Sequence, residues 1–213
     1  MLRRAFLATI WLGFVVYAFR FAPPDQPDTA QLIQQLATGE WQALNPAVVA
    51  LFNLMGLWPL AYAGLVIADG HGQTVPAWPF VIGSFGLGAC LLLPYLILRQ
   101  PNPTFTPPSS KLIALLDSRW LGISLLAGTL VLMGYGIYAG NWVDFISQWQ
   151  SSRFIHVMSL DFCLLWLLVP SLLGDDMARR GLKNSRVFGL VSIIPLMGLT
   201  AYLTFRPQLN TDE

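Results

Sequence analysis

Hydrophobic positions in this chain fall in long unbroken runs, not in the alternating or three-and-four spacing of half-buried strands and helices. The runs cover 5–19, 46–68, 75–98, 120–140, 154–174 and 187–205. A bilayer core about 30 Å thick takes roughly 20 helical residues to cross, and all but the first run approach that length. The first is short and is flanked by Arg3, Arg4 and Arg20, which are placed to snorkel to the two interfaces. A cleaved signal peptide is its rival reading, but Tyr17-Ala18-Phe19-Arg20-Phe21 lacks the small residues of a cleavage site. Continuous apolarity selects helices over a barrel, whose strands alternate. The pattern predicts an all-α fold: a polytopic transmembrane helix bundle forming one integral membrane domain over 1–213. It has about six spans, or five if the first segment is interfacial.

Polar and turn residues punctuate the runs. Asn45-Pro46 pairs an N-cap with proline at the first helical position, a start signal for the second span. Asp28-Thr29-Ala30-Gln31 has the form of a capping box, and Leu32, Ile33 and Leu36 follow at helical spacing. This predicts a short amphipathic surface helix. Ser110 to Leu116 and Trp142 to Trp149 read either as similar helices or as ordinary interfacial loops, and Gln100 to Pro108 as an extended connector. Trp41, Trp78, Trp120, Trp142 and Trp149 fall near predicted ends, where an amphipathic ring suits the headgroup region. Pro59, Pro170 and Pro195 are expected to kink their helices. Ser84 with Gly88, Ser124 with Gly128 and Gly136 with Gly140 are small-residue pairs suited to close helix approach. No inverted repeat is visible, since Asn53 and Pro59 lack counterparts in the second half.

Composition sharpens the class. Apolar residues make up 55% and charged residues 11%, against about 25% charged in a soluble domain. With a mean hydropathy of +0.58, these values exclude a water-soluble globule, a disordered chain, a disulfide scaffold and a nucleic-acid module. The net charge of +1 gives no reason to expect a polyanionic partner. With six spans, Arg3, Arg4, Arg153 and Arg206 share one side. Arg20, Arg99, Lys111, Arg119, Arg179, Arg180, Lys183 and Arg186 share the other. That bias places the odd loops in the cytoplasm or stroma and both termini outside or in the lumen, although Arg3-Arg4 runs against it. The loop 175–186 carries two acids and then Arg179, Arg180, Lys183 and Arg186. It reads equally as a contact for a partner or anionic lipid and as a plain topology signal.

Candidate chemistry is sparse. Asp161 is the one acid expected deep in a span, and an intramembrane carboxylate is a functional candidate by default. Its own helix offers no polar partner at helical spacing, so Asn53, Tyr62, Tyr95 and Arg20 are the candidate partners. Its open readings are a proton-relay or ion site, a pair with such a group, and a hydrogen-bonded structural contact. His156 reads as a ligand for a metal or chlorophyll magnesium, or as a hydrogen-bonding residue near the membrane surface. Cys90 and Cys163 read as small hydrophobes within spans. No nucleophile–base set and no phosphate-cradling loop appears, so no cofactor and no enzymatic activity is expected.

Several stretches resemble an uncharacterised multi-pass membrane protein family of cyanobacteria and plant chloroplasts. They are Phe21-Ala22-Pro23-Pro24-Asp25-Gln26-Pro27-Asp28, Asn45-Pro46 through Asn53-Leu54-Met55-Gly56, and Val75-Pro76-Ala77-Trp78-Pro79-Phe80. Ser152 through Phe162 and Gly174-Asp175-Asp176-Met177-Ala178-Arg179-Arg180-Gly181 complete the set. The resemblance implies a photosynthetic host and a thylakoid or plasma membrane, and it carries no activity or catalytic residue. The resulting expectation is a non-enzymatic assembly or accessory factor of a photosynthetic membrane complex, in contact with lipid and with other membrane subunits. A small-solute or proton-coupled transporter using Asp161 is the alternative, and pigment binding through His156 the weaker one.

Overall fold

A computed structural model describes residues 1–102 and 110–209. Among the described residues 77% are helical and none is in a strand. The first half comprises α1 (Leu2–Arg20), α2 (Thr29–Thr38), α3 (Pro46–Gly70), α4 (Trp78–Leu87) and α5 (Ala89–Leu98). A short α6 (Lys111–Leu116) leads into α7 (Arg119–Ala139), α8 (Trp142–Ser151), α9 (Arg153–Leu168), α10 (Pro170–Arg179), α11 (Ser185–Ile193) and α12 (Met197–Phe205). Four helices are long and apolar enough to cross a membrane: α1, α3, α7 and the stacked α9–α10. The expected surface segments are the helices α2, α6 and α8. Asp28 makes no side-chain cap on α2, so the predicted capping box is not formed. The expected extended connector lies partly outside the described residues.

Two of the six expected spans are broken in the middle. The run 75–98 is α4 and α5 folded on each other about Gly88, and the run 187–205 is α11 and α12 folded about Pro195-Leu196. Each arm is about 15 Å long, half the thickness of a bilayer core. The two ends of the first hairpin meet, because the Gln73 side chain bonds both the N–H and the carbonyl of Gln100 at 2.7 and 2.8 Å. A guanidinium nitrogen of Arg180 likewise donates to the carbonyl of Pro207, across the open end of the second hairpin. The arms sit close: a Cβ on Gly83 would fall 2.1 Å from Leu91, and one on Gly198 would fall 2.7 Å from the carbonyl of Val191. Gly88, in the expected seam with Ser84, is the turn itself, with φ 49 and ψ −128. Ser84 bonds its own helix at Val81. Leu196 takes φ 50 at the second turn, a left-handed conformation that costs a branched residue of order 1–3 kcal/mol. Of the expected kinks, Pro170 separates α9 from α10 and Pro195 stands in the second turn, whereas α3 runs unbroken through Pro59.

The hairpins expose a repeat that runs in the same sense in both halves, which is why a search for an inverted one finds nothing. Asp69, Tyr95 and Arg99 are spaced 26 and 30 residues apart, and so are Asp176, Tyr202 and Arg206. In that register α3 overlies α9–α10, α4 overlies α11 and α5 overlies α12. Leu92 and Leu96 match Leu199 and Leu203, all buried. Helix α1 packs along α5, α7 packs along α12, and α7 also joins the halves by packing along α3.

Small residues allow those close contacts. Cβ atoms on Gly136 and Gly140 would lie 2.8 Å from Ala50 and 2.9 Å from Ala47, so α7 and α3 approach at these points. Gly128 meets Leu57 at ordinary contact distance, but Ser124 faces outward and makes no seam. The tightest approach of α7 to α12 is at Gly122, where a Cβ would fall 2.6 Å from the backbone nitrogen of Thr204. Gly122→Ala is therefore expected to lower stability by about 1–3 kcal/mol. Gly134→Ala, with nothing within 4 Å of its new methyl, should be neutral or stabilising. Thermal unfolding of the two variants in detergent reads the difference.

Candidate functional site

The C-terminal ends of α3, α5, α10 and α12 converge, and each brings a charge. Asp69 closes α3, Arg99 follows α5, Asp175, Asp176 and Arg179 stand on α10 with Arg180 just after it, and Arg206 follows α12. Asp69 and Asp176 are fully buried, deeper than Asp161, the acid singled out in the sequence. Asp69 accepts from Tyr95 Oη at 2.7 Å, Arg99 Nε at 2.8 Å, Arg99 Nη2 at 2.7 Å and Arg179 Nη1 at 3.0 Å. Arg99 also contacts Asp175. Asp176 accepts from Tyr202 Oη at 2.6 Å, Arg180 Nε at 2.8 Å and Arg206 Nη1 at 3.2 Å. Asp117, between α6 and α7, lies 2.7 Å from Arg180 and 3.2 Å from Arg206.

Within the ion pairs charge is balanced: Asp69 and Asp175 offset Arg99 and Arg179, with Arg3 of α1 joining them through the Arg99 carbonyl at 2.7 Å, while Asp176 and Asp117 offset Arg180 and Arg206. Burial works against the charged guanidinium groups of Arg99 and Arg180. The carboxylates of Asp69 and Asp175, and of Asp176 and Asp117, outweigh it and hold both groups above the ordinary arginine range. Arginine suits this place because its fork gives two parallel bonds to one carboxylate. Arg206 also donates from Nη1 and Nη2 to the carbonyls of Gly64 and Leu116, tying α12 to α3 and α6.

This placement narrows the basic surface that the loop 175–186 offers to a partner or lipid. Arg179 and Arg180 are buried in these pairs, and only Lys183 and Arg186 are exposed. The clusters were not legible as contacts, because the acids and arginines are far apart in the chain. The matched spacing of Asp, Tyr and Arg in the two halves is the signal that points to them.

Asp161 does find a partner, though none of those expected. Its Oδ1 accepts the backbone N–H of Ala89 at 2.9 Å, at the first residue of α5. A carboxylate there satisfies an otherwise orphaned donor and complements the helix dipole. A Cβ on Gly88 would fall 1.6 Å from Oδ2, so glycine is required both by the turn and by the acid. In the repeat register Leu54 stands where Asp161 stands, so the second hairpin has no such acid. Asn53 bonds the Val49 carbonyl of its own helix, and Tyr62 bonds the Leu165 carbonyl.

His156 lies at the opposite end of the bundle from the ionic clusters. Its Nδ1 is 2.9 Å from the Trp149 carbonyl and its Nε2 is 2.9 Å from Tyr17 Oη. A carbonyl only accepts, so the proton sits on Nδ1, and Nε2 accepts from the tyrosine hydroxyl. Both ring nitrogens are engaged, and Trp149 stacks on the ring at 4.2 Å. A pigment bound through Nε2 would have to displace the Tyr17 hydroxyl. Cys90 is half-buried and Cys163 is exposed, so they do not share a buried role.

No known protein family matches the chain, and searches of curated proteins and of solved structures likewise find no match.

The ionic clusters make a quantitative prediction. Tyr95→Phe and Tyr202→Phe each remove one bond to a buried carboxylate and should cost about 1.5–3 kcal/mol. Asp69→Asn or Asp176→Asn strands buried guanidinium charge and should cost about 3–5 kcal/mol. Denaturation of the purified variants is the measurement, and matched losses at the two repeat-related positions are expected.

Proposed function

We propose that the chain is an integral membrane protein with four spans, α1, α3, α7 and α9–α10, and two re-entrant hairpins that enter and leave by the same face. Charge supports this topology. It places Arg3, Arg4, Arg99, Lys111, Arg119, Arg179, Arg180, Lys183, Arg186 and Arg206 on one side and only Arg20 and Arg153 on the other. By the positive-inside rule the richer side, with both termini, is cytoplasmic or stromal. The Arg3-Arg4 pair then agrees with the rest of the chain. Single cysteines at His71→Cys and Lys111→Cys should react with an impermeant maleimide from the same side, and Glu40→Cys and Asp144→Cys from the other. Labelling of positions 71 and 111 from opposite sides would restore the six-span arrangement.

Within that membrane the protein acts without chemistry of its own, as an accessory or assembly factor of a membrane complex. The resemblance in its sequence makes that a photosynthetic complex. The observation that carries this reading is how the deep polar groups are used. Asp69, Asp161, Asp176, Arg99 and His156 are each bonded to another residue of the chain. Such groups hold helices together, and the buried donors that the clusters leave unpaired, Nε and Nη2 of Arg179 and Nε of Arg206, belong to arginines already engaged in ion pairs. Lipid and neighbouring membrane subunits are its partners. Gentle-detergent purification from the native membrane should bring down a membrane subunit in fixed proportion, and a lone monomer would refute the accessory role.

One observation favours a second reading, a small-solute or proton-coupled transporter. Asp161 meets the start of a half-length helix, and starts of broken helices are where transporters hold the anionic groups of their substrates. In proteoliposomes that reading requires a pH-dependent flux that Asp161→Asn abolishes without harming insertion.

A further inference from the structure

Between α2 and the α8–α9 junction, at the end of the bundle opposite the ionic clusters, lies a half-open cavity of about 390 Å³. That size falls within the range of small-molecule sites. The surface helices of both halves line it, so it sits where the repeats meet, a recurrent place for ligand sites. Its floor is apolar, including Leu32 and Ile155, and its walls carry the amides of Gln31, Gln35 and Gln148 and the carboxylate of Asp28. Gln31 and Gln35 are one helical turn apart on α2 and face Gln148 on α8. Gln148 donates to Asp144 at 2.6 Å and is thereby held in place, with its carbonyl oxygen left to accept. The Gln31, Gln35 and Asp28 side chains make no hydrogen bond among the described residues. At the rim, Gln26 bridges the gap by donating to the Ser151 carbonyl at 2.7 Å.

The chemistry of this lining is selective. No Lys or Arg lines the cavity, so an anion has no counter-charge there. A single carboxylate gives a metal ion too few hard ligands. No aromatic ring lines it either, so the cage that holds a quaternary ammonium is missing. Primary amides offer a donor and an acceptor side by side, the set that matches neighbouring hydroxyls, and the acid accepts a further hydroxyl proton.

We propose that this cavity binds a neutral sugar, presented free or as the headgroup of a glycolipid. Each amide bonds a hydroxyl pair, while the carbon face of the ring rests on Leu32 and Ile155. The site is independent of the accessory role.

The test uses the full chain in phosphatidylcholine nanodiscs, followed by tryptophan fluorescence, since Trp41 and Trp149 lie on the segments around the cavity. One arm titrates free maltose, and the other compares discs with and without a diglucosyl diacylglycerol. A saturable response that does not depend on salt is expected in at least one arm. A response confined to the lipid arm assigns the site to a glycolipid, and a response to maltose assigns it to the free sugar. Gln35→Ala and Gln148→Ala should each weaken that response about tenfold, the loss of roughly 1.4 kcal/mol of hydrogen bonding. Gln34→Leu, exposed on α2 and outside the cavity, should leave it unchanged and shows that α2 still folds. No saturable response to either probe would overturn the proposal. So would a response that Gln35→Ala and Gln148→Ala leave intact, or one that falls away with salt.

Discussion

Two buried carboxylates, Asp69 and Asp176, carry the architecture. Each is the meeting point of a tyrosine and arginines from different helices, and each closes a hairpin that otherwise has little reason to turn back. Ionic groups out of water are costly unless their geometry is nearly complete. At the two carboxylates it is, since Asp69 accepts four bonds and Asp176 three from side chains within 3.2 Å, while Nε and Nη2 of Arg179 and Nε of Arg206 are left unpaired among the described residues. Apolar packing alone would let short arms slide past one another, since Leu92 and Leu199 meet similar surroundings at many offsets. A forked guanidinium on a fixed acid does not slide. The ion pairs therefore set the register of the hairpins, while leucine and glycine set how closely they approach.

The broken helices follow from that closure and create a second demand. A helix that begins in the apolar interior has unpaired N–H groups facing no water. In the first half Asp161 supplies an acceptor to Ala89, and it does so from α9, which belongs to the other half. In the second half the turn is made by Pro195, which has no N–H to satisfy, and by a strained Leu196. The same geometric problem is solved once by an acid and once by the turn itself, whose Pro195 and Ile194 carbonyls accept the N–H groups of Met197 and Gly198. The halves are thus alike in frame and unlike at the one place where a charge reaches mid-depth.

Helical content, the four long apolar helices and the short helix α2 were legible, because each rests on a local property, run length or periodicity, whereas the sequence leaves α6 and α8 open between helix and loop. The hairpins were not legible. A broken 20-residue apolar run has the same hydropathy as a continuous one, and Gly88 reads as a packing glycine until its φ is known. The ionic clusters were hidden for a related reason. Asp69, Arg99 and Arg180 each look like ordinary boundary charges, and only folding brings them within hydrogen-bond distance. Asp161 stood out as an acid within an apolar run and is buried, but its partner is a backbone N–H, which no pattern of side chains announces. His156 was placed near a surface and is fully engaged there by Tyr17 and Trp149, the first of them from a helix far away in sequence.

The direction of the elements has one more consequence. Each half holds two long helices of opposite sense and a hairpin that comes back to where it began. Its head and tail therefore lie at the same end of the bundle. Parity follows: a unit with an even count of traverses, joined tail to head with its copy, always yields parallel twins. Had the first hairpin run through to the far end, the count would have been odd and the twin upside down, with Asp69 and Asp176 at opposite poles. The turn at Gly88 thus decides more than the shape of one hairpin, because the polarity of everything downstream depends on it.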